Sequence, residues 1–448
     1  KTDPREYDSG QCHHKARRTE DGASRRMWEH GFGSDQVHKH PSKITIDRGL
    51  LVGVSQPWPQ ECSPSRQGPA YPIIGTMEQP RTLEELRRLI DAADERLVAV
   101  LNERAKLVVE VGHRTQTDGT PIYAPDRERK VLDKAKDRND GPLSDSTIEA
   151  IYRQLMSGSF ALERPLRIGY LGPAGSYSHL AARAHFGASV EFAPVTSISD
   201  VFDEVIKGHV DYGLAPIENS TAGGIVETLD AFIEHAGEVS IYAEAQVTIR
   251  HALMAGCPPE DITRIYSKPE VFAQCQNWLS ARYPKAELLP AASSSRAASK
   301  AAEETEQARA IGARPGTAAI GTTLAAELYG LSVLVESIQD QPNNITRFVI
   351  LSKERTGRTG QDKTSMLFET SDEPGALAEV LAVFSAHGVN LTHIEKRPSG
   401  RENWTYTFFV DAAGHTSDDA VAAAVEDAKG RCRRLTVLGS YPRAKGQL

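Results

Sequence analysis

A long apolar stripe places the strongest limit on how this chain can fold. From Leu83 to Val111, apolar residues recur at alternating three- and four-residue steps, as in a heptad repeat. The members of the stripe are Leu83, Leu86, Ile90, Ala93, Leu97, Val100, Leu107 and Val111. The pattern predicts a helix of about 30 residues, roughly 45 Å long, and Thr82 with Glu85 matches a capping box at its start. A helix of this length cannot pack on itself, so it needs partner helices or a second chain.

Arginines on and beside this stripe indicate a polar pocket. Arg104 occupies the stripe position between Val100 and Leu107, and Arg87 flanks the stripe further upstream. A buried arginine must be paired or must bind an anion, because leaving it unpaired is costly. The stripe therefore predicts a site for an anionic ligand as well as a packing surface.

Two shorter helices are predicted next. Gly119 and Pro121 break the long helix, Pro125 starts a second helix and Ser144 opens a third. Together the three helices can direct a set of side chains toward one pocket: Arg87, Arg104, Arg127, Glu128, Ser159 and Glu163. The alternative is an apolar bundle whose charges form surface salt bridges.

Composition limits the class of partner. The 448 residues correspond to about three domains. The net charge of −8 and the pI of about 6.0 argue against nucleic acid or an anionic membrane as the main partner. No apolar run approaches the roughly 18 residues of a membrane span. The 5 cysteines are scattered without Cys-x-x-Cys spacing, which favours a reducing, cytoplasmic compartment.

Residues 1–76 differ from the rest of the chain. They show neither a 3.6-residue nor a 2-residue apolar period and no apolar segment of a secretory signal. We expect this stretch to be disordered or a non-native upstream extension. Cys12, His13 and His14 are adjacent, but no second ligand cluster follows at zinc-finger spacing, so no metal site is predicted.

The central segment reads as an α/β domain. Strands at 166–171 and 212–216, a strand ending near Pro194 and intervening helices predict a parallel sheet. Gly-rich loops at 172–179 and 216–224 follow the strand ends, where such sheets bind ligands and where exposed amides suit an anion. Neither loop matches a dinucleotide fingerprint or a P-loop, so a nucleotide cofactor is disfavoured.

A turn at Pro342-Asn343-Asn344 leads into a later strand that begins near Thr346 and Arg347. A hydroxyl beside a planar cation suits a small anionic substrate. The alternative is a strand start with one surface arginine.

The C-terminal segment changes period again. Strands at 363–369, 390–396, 404–411 and 435–441 alternate with helices at 374–387 and 420–429. The order βαββαβ predicts a ferredoxin-like α+β domain.

Residues 80–163 resemble the all-helical chorismate mutase domain of bifunctional phenylalanine-biosynthesis enzymes. The matching stretches are Leu-Arg-Arg-Leu-Ile-Asp at 86–91, Leu-Asn-Glu-Arg at 101–104, Ala-Pro-Asp-Arg-Glu-Arg at 124–129 and Met-Ser-Gly-Ser-Phe-Ala-Leu-Glu at 156–163. The resemblance assigns a helical domain to 77–165. It implies that Arg87 (supplied across a dimer), Arg104 and Arg127 clamp the substrate, with polar contacts from Glu128, Ser159 and Glu163.

One position of this resemblance departs from the family. Thr115 stands where the family has a lysine and cannot supply its cation, so either His113 or Arg114 substitutes or the mutase is weakened. The family reaction is pericyclic and needs preset cations rather than a cofactor. A protonated Glu163 near the ether oxygen predicts a mutase rate that falls as pH rises.

Residues 166–352 resemble prephenate dehydratase. The matching motifs are Gly-Pro-Ala-Gly-Ser-Tyr-Ser-His at 172–179, Pro-Ile-Glu-Asn-Ser at 216–220 and Asn-Asn-Ile-Thr-Arg-Phe at 343–348. The resemblance implies two periplasmic-binding-protein-like lobes within 166–353, the first from 166–244 plus 331–353 and the second from 245–330. The cleft between the lobes would hold the substrate.

The same resemblance implies site residues for the dehydratase. Thr346 falls on the catalytic threonine of the family, and Arg347 with the loop amides would hold carboxylates. Glu218 is a hypothetical proton donor to the leaving hydroxyl, since Thr346 is a poor acid. Further expected substrate contacts are Ser176, Tyr177, Asn219, Ser220, Thr221 and Phe348. In the second lobe the chain has Lys268 where the family usually has histidine, so a substrate contact there is less certain.

Residues 364–442 resemble an ACT domain, an amino-acid-sensing module. The matching motifs are Pro-Gly-Ala-Leu at 374–377 and Glu-Lys-Arg-Pro at 395–398, in which Lys396 replaces the usual serine. Phenylalanine would bind between paired ACT domains, and the residues implied are Gly375, Ala376, Leu377, Glu395, Arg397 and Pro398. The alternative is a packing or dimerisation module without a ligand.

The three resemblances together imply a feedback-regulated enzyme that converts chorismate to prephenate and then to phenylpyruvate, with phenylalanine as effector and without a cofactor. We expect an even-numbered oligomer, a homodimer or a dimer of dimers, with no nucleic acid or membrane partner. A dehydratase with a weakened mutase and a non-catalytic metabolite sensor remain alternatives. The residues 346–348 with Glu218 and Asn219 favour the enzyme, because a sensor does not need that set.

Overall fold

The first described element is the predicted long helix. The computed structural model describes residues 81–118, 121–399 and 405–446, with only the backbone at 115–118, so our expectation for 1–76 lies outside the described residues. Helix α1 spans Leu83–Asp118. The capping box is present: Thr82 N donates to Glu85 Oε2 at 2.8 Å, and Glu85 N donates to Thr82 Oγ1 at 3.2 Å. The expected helix start is confirmed.

Much of the α1 stripe faces solvent within one chain. Ile90 is 58 % exposed, Leu97 56 % and Leu107 57 %. A contiguous apolar face that is exposed along a helix is typical of an interaction surface. Helix α3 (Asp145–Glu163) packs on α1, and α2 (Pro125–Asp137) packs on α3.

Close packing of α1 on α3 depends on Gly112. A Cβ atom at this position would lie 2.8 Å from Cγ of Glu163. The absence of a side chain therefore lets Glu163 lie directly against the α1 backbone. Ser144 caps α3 by accepting a hydrogen bond from Thr147 N at 3.2 Å.

The central region forms two sheets with flanking helices. In chain order the elements are β1 (Arg167–Leu171), α4 (Tyr177–Phe186), β2 (Glu191–Val195), α5 (Ile198–Lys207), β3 (Tyr212–Asn219), β4 (Gly223–Gly224), α6 (Val226–Glu234), β5 (Ser240–Thr248), β6 (Ala252–Ala255), β7 (Arg264–Ser267), α7 (Pro269–Gln274), α8 (Gln276–Arg282), β8 (Glu287–Pro290), α9 (Ser294–Ala310), β9 (Thr317–Gly321), α10 (Thr323–Tyr329), β10 (Ser332–Val335) and β11 (Ile345–Ser352). The first sheet has the order β2-β1-β3-β11-β5 and the second β10-β6-β9-β7-β8. β1, β2 and β3 are parallel as expected. β11 runs antiparallel to β3, and β5 runs antiparallel to β11.

The structure moves both expected lobe boundaries by a few residues, to the ends of β5 and β10. β5 continues past residue 244 because it pairs with β11 along its whole length, from Thr248 opposite Ile345 to Ser240 opposite Ser352. β10 lies after residue 330 but pairs with β6 of the second sheet. The two crossings between lobes are therefore at 249–251 and 336–344.

The C-terminal domain has the expected ferredoxin-like order. Its elements are β12 (Asp362–Glu369), α11 (Ala376–Ala386), β13 (Leu391–Pro398), β14 (Tyr406–Ala413), α12 (Asp419–Lys429) and β15 (Arg434–Pro442). The sheet order is β13-β14-β12-β15. One face packs under its own helices, and the other joins the core of the first lobe, where Phe409 lies 6.5 Å from Phe232 between ring centroids. The multidomain fold class is confirmed.

Tyr123, between α1 and α2, joins the helical region to the first lobe. Its side chain is 2 % exposed, and its hydroxyl oxygen lies 2.7 Å from Nε2 of His185. Its main-chain oxygen accepts hydrogen bonds from the hydroxyls of Tyr242 at 2.9 Å and Tyr212 at 3.2 Å.

Among the described helices, none is both long and apolar enough to span a bilayer.

Candidate functional site

The helical region encloses a cavity of about 280 Å³. Five of the predicted site residues line it: Arg104, Arg127, Glu128, Ser159 and Glu163. Arg104 Nη1 donates to Ser159 Oγ at 2.8 Å, and Ser159 Oγ donates to the main-chain oxygen of Leu155 at 2.7 Å. The hydrogen bond that Arg104 donates to Ser159 orients the guanidinium, which forms no ion pair with the carboxylates of the described residues.

The acidic residues of this cavity differ in their surroundings. Burial raises the pKa of Glu163, and the nearby charge of Arg127 opposes that rise. The carboxylate of Glu128 already pairs with Arg153, at 3.2 Å from Oε1 to Nη1. Burial raises the pKa of Glu128 and Arg153 opposes it. Glu163 is therefore the better placed proton donor, because Glu128 is held in an ion pair.

One predicted residue, Arg87, does not line this cavity within one chain. Arg87 is exposed on the N-terminal part of α1 and is not among the lining residues. Thr115 lies in the last turns of α1, and its side chain falls outside the described residues.

Thr346 at the start of β11 is held by Asn219 at the end of β3. Asn219 Nδ2 donates to Thr346 Oγ1 and to Asn344 Oδ1, each at 2.8 Å. Asn219 Oδ1 accepts from Thr221 N at 3.0 Å and from Thr221 Oγ1 at 2.6 Å, which sets the orientation of the amide. Since Thr346 Oγ1 accepts a hydrogen bond from Asn219, its own proton is available to a ligand.

A chain of hydrogen bonds continues from this pair across the crossings between the lobes. Asn344 Nδ2 donates to Gln274 Oε1 at 3.3 Å, and the same oxygen lies 2.7 Å from His251 Nε2. Because an amide oxygen only accepts, Nε2 must carry the proton. Burial lowers the pKa of His251, so the ring is neutral and Nδ1 accepts from the Tyr177 hydroxyl at 2.6 Å.

Sequence reasoning missed Gln274 and His251 in this chain of hydrogen bonds. Tyr177 was predicted as a substrate contact, but it ends the hydrogen-bond chain at the hinge. A buried polar residue at each crossing of two lobes is the signal that could have drawn attention to them.

Arg347 and Glu218 do not face Thr346. Successive side chains of a strand point to opposite faces, and Arg347 turns toward the C-terminal domain, where Nη1 contacts Asp411 Oδ2. Glu218 lies opposite Arg347 in the β3–β11 register and shares its face, with Oε2 3.3 Å from Arg347 Nε. The expectations that Arg347 holds a substrate carboxylate and that Glu218 protonates the leaving group therefore do not fit this geometry.

The remaining predicted residues around Thr346 hold the local structure. Phe348 is 1 % exposed within the first-lobe core, so it packs rather than contacts a ligand. Ser176 caps α4 by accepting from His179 N at 3.2 Å. Ser220 Oγ accepts from Ile345 N at 2.9 Å and so holds the turn before Thr346.

The second lobe closes over the first Gly-rich loop. Thr322 Oγ1 donates to the main-chain oxygen of Gly175 at 2.7 Å, and Ser295 Oγ contacts that of Ala174. A Cβ at Gly175, whose φ is +82°, would lie 3.1 Å from Ala325. The close approach of the lobes at this loop requires glycine.

Lys268 lies elsewhere in the second lobe, with Nζ 3.7 Å from Glu270.

The predicted effector residues lie on two different surfaces. Gly375, Ala376 and Leu377 begin α11, with Gly375 at φ +91° as the residue before the helix. Arg397 instead pairs with Asp230 of α6, through Nε to Oδ1 at 3.0 Å and Nη2 to Oδ2 at 2.8 Å.

Glu395, on the same face of β13, packs on the second Gly-rich loop: a Cβ at Gly224 would lie 3.3 Å from its Cδ. Pro398 lies on the exposed face of β13. Within one chain, then, Glu395 and Arg397 contact the first lobe.

Comparisons with known proteins agree with this division of the chain. Residues 86–164 match the family model of chorismate mutase type II, 168–356 that of prephenate dehydratase and 364–430 that of the ACT domain.

Two curated relatives carry the name bifunctional chorismate mutase/prephenate dehydratase. The protein from Stutzerimonas stutzeri is 41 % identical over 376 residues, which is 82 % of this chain and 100 % of the relative. The protein from Escherichia coli K12 is 33 % identical over 389 residues, 82 % of this chain and 97 % of the relative.

A solved structure, prephenate dehydratase from Arthrobacter aurescens in complex with L-Phe, is 36 % identical with a TM-score of 0.57. It covers 63 % of this chain and 92 % of its own. The order of the three matched domains and the coverage of the relatives lead to one conclusion: this chain belongs to the family of bifunctional chorismate mutase/prephenate dehydratases.

Proposed function

We propose that the helical domain, at 77–165, rearranges chorismate to prephenate in the 280 Å³ cavity. The two-lobed domain then converts prephenate to phenylpyruvate at Thr346. The observation that carries the proposal is the presence in one chain of two separate sites. One is an arginine-lined cavity with an acid of raised pKa, and the other is a hydroxyl held by an amide at the end of the lobe sheet.

In the mutase cavity, catalysis is positioning and charge stabilisation. Chorismate carries two carboxylates, and arginines match carboxylates through bidentate hydrogen bonds. Arg104, oriented by Ser159, and Arg127 hold the substrate in its folded conformer. Burial raises the pKa of Glu163 and so favours its protonated form, which donates to the ether oxygen as the carbon–oxygen bond breaks.

In the dehydratase, Thr346 acts on the leaving hydroxyl. Its oxygen accepts from Asn219 at 2.8 Å, so its proton points to the substrate and polarises the carbon–oxygen bond. The hydroxyl leaves as water with a proton from solvent or substrate, the ring carboxylate leaves as carbon dioxide, and the ring becomes aromatic. The amides at the N-terminus of α4 hold the remaining carboxylate, because Arg347 is directed elsewhere.

A dimer completes the mutase. The apolar stripe of α1 is exposed within one chain, and Arg87 lies on the same exposed part of the helix. A second copy packed on α1 would cover the stripe and bring its Arg87 to the first cavity. Light scattering should show an even-numbered oligomer, and Leu97→Glu should shift it toward monomer and lower mutase activity. A wild-type monomer with full mutase activity would contradict this.

We further propose that phenylalanine binds the ACT domain and inhibits the dehydratase. The relative from Arthrobacter aurescens was solved with L-Phe. In the first motif, Gly375 is exposed at the start of α11, and Ala376 and Leu377 are half-buried. Isothermal titration with phenylalanine should show binding and a parallel loss of dehydratase rate. An absence of binding would favour a packing module.

The scattered cysteines indicate a cytoplasmic protein, which fractionation of cells would test.

The activities are tested by supplying the two substrates separately. Purified enzyme given chorismate should form prephenate and then phenylpyruvate, and enzyme given prephenate should form phenylpyruvate directly. Phenylpyruvate from prephenate without conversion of chorismate would leave a dehydratase with a failed mutase, consistent with Thr115. No turnover of either substrate would favour the metabolite sensor.

A further inference from the structure

Neighbouring residues of β11 serve two different domains. Thr346 faces Asn219 in the first lobe, whereas Arg347 faces the C-terminal domain. The Arg347 side chain is 9 % exposed and that of its partner Asp411, on β14, is 5 % exposed. The C-terminal domain therefore holds the residue directly after the proposed catalytic threonine.

Arg347 belongs to a buried group of charges that we call the interdomain charge cluster: Arg347, Glu244, Lys363 and Asp411. Arg347 Nη1 contacts Asp411 Oδ2 and lies 3.8 Å from Glu244 Oε2. Lys363 Nζ lies 2.8 Å from Glu244 Oε2 and 3.6 Å from Asp411 Oδ2. Two cations from different domains thus share two carboxylates from different domains.

Hydrogen bonds fix the second oxygen of the Asp411 carboxylate, Oδ1. Its Oδ1 accepts from Ser365 Oγ at 2.5 Å, and the Ser365 hydroxyl also lies 2.6 Å from that of Tyr441. Burial opposes ionisation of Asp411, yet Arg347 and Lys363 outweigh it and hold its pKa below the usual range. Burial likewise opposes the charge of Arg347, and the neighbouring Asp411 outweighs it, so the pKa of the guanidinium rises. Both partners stay charged.

The backbone of β11 pairs regularly with β5 at this point but irregularly with β3. The β5–β11 register is unbroken from Ile345 to Ile350, whereas the β3–β11 register shifts between Arg347 and Phe348. Glu218 adds little there: it lies 3.3 Å from Arg347 Nε, but the alignment does not make a hydrogen bond. The contact with Asp411 therefore adds a side-chain anchor to this part of the strand, where the pairing with β3 is irregular.

We propose that Asp411 is a positioning residue of the dehydratase: by holding Arg347 from the C-terminal domain, it fixes β11 and the direction of the Thr346 hydroxyl. The inference rests on the proposed role of Thr346. It makes the ACT domain a structural part of the dehydratase site as well as a sensor, and it explains why a motif residue next to the catalytic threonine points away from the substrate.

The test compares Asp411→Asn with Asp230→Asn. Asp230→Asn breaks another interdomain ion pair. Asp230 is half-exposed on α6 and pairs with Arg397, so this pair does not reach β11. For Asp411→Asn we expect dehydratase kcat to fall roughly 10- to 100-fold, the range for a catalytic group displaced by about an ångström. KM for prephenate and the mutase rate should stay within about twofold. Asp230→Asn should leave both activities unchanged.

Three results would overturn the proposal. They are a folded Asp411→Asn enzyme with dehydratase kcat within about twofold of wild type, an equal loss in Asp230→Asn, or an equal loss of mutase and dehydratase rates. Ser365→Ala covers the case in which Asp411→Asn does not fold, because it removes a single hydrogen bond to Asp411 and keeps every charge. It should lower dehydratase kcat about threefold or more with KM retained, and an unchanged kcat would overturn the proposal.

A parallel Thr346→Ala variant separates the proposed function of Thr346 from the positioning role of Asp411. If it keeps its dehydratase rate, the proposed function of Thr346 fails. If it loses that rate while Asp411→Asn does not, only the positioning role of Asp411 fails.

Discussion

Tyr123→Phe tests whether the mutase and the dehydratase are joined at the Tyr123 side chain. The substitution removes one oxygen atom, which lies 2.7 Å from His185 Nε2 where both side chains are buried. Burial lowers the pKa of His185 to about 3, so a neutral ring is left without its partner. Leaving one buried polar atom without a hydrogen bond costs about 1–3 kcal/mol.

The matched control is Tyr242→Phe, which acts on the same junction. Tyr242 donates to the main-chain oxygen of Tyr123 at 2.9 Å, and that oxygen keeps Tyr212 as a second donor at 3.2 Å. Losing one of two donors to one oxygen should cost about 0.5–1.5 kcal/mol, the net value of an ordinary hydrogen bond.

Urea unfolding at neutral pH, followed by intrinsic fluorescence, measures both losses. Tyr123→Phe should destabilise the protein more than Tyr242→Phe and should also lower mutase kcat/KM, because Tyr123 lines the mutase cavity. A loss smaller than that of the control, or none, would refute the idea that this hydrogen bond ties the domains together.

Three further predictions concern single side chains. Glu163→Gln should remove the fall of mutase rate with rising pH, since burial raises the pKa of Glu163 and only its protonated form donates; a pH–rate profile identical to wild type would contradict this. Gln274→Leu should lower dehydratase kcat about threefold to tenfold by releasing Asn344, with mutase turnover as the control and an unchanged kcat as the contrary result. The free energy of unfolding should rise with pH from about 3 to the usual imidazole value of 6.5, because His185 binds its proton first in the unfolded state. In His185→Gln this part of the acid dependence should disappear, and its persistence in urea titrations would exclude His185 as the source.

Helical periodicity carried much of the prediction for the mutase. The capping box placed the start of α1 at Thr82, where the structure has it. Arg104 interrupted an apolar stripe and was predicted to face an anion site; it lines the cavity with Ser159. A charge at an apolar position is informative because burying it without a partner is costly.

Strand periodicity was available for the dehydratase but was not applied. Side chains alternate along a strand with a period of two, so Thr346 and Arg347 cannot both face the cleft, nor can Glu218 and Asn219. That rule places Thr346 and Arg347 on opposite faces, and the β3–β11 register then pairs Thr346 with Asn219.

Long-range contacts could not be predicted from the sequence alone. Asp411 lies 64 residues after Arg347 in another domain, and Tyr123 lies 62 residues before His185. No local pattern marks either pair. The shifted lobe boundaries had the same origin, because β5 and β10 are placed by pairing with β11 and β6, which are distant in the chain.

The central claim is that one chain holds two independent sites and that Thr346 serves only the second. The most direct measurement is the turnover of chorismate and of prephenate by Thr346→Ala. The account predicts that phenylpyruvate formation from prephenate falls roughly 100- to 1,000-fold, as for loss of a hydrogen-bond donor to a transition state, while prephenate formation from chorismate stays at the wild-type rate. Unchanged phenylpyruvate formation, or an equal loss of both activities, would contradict it.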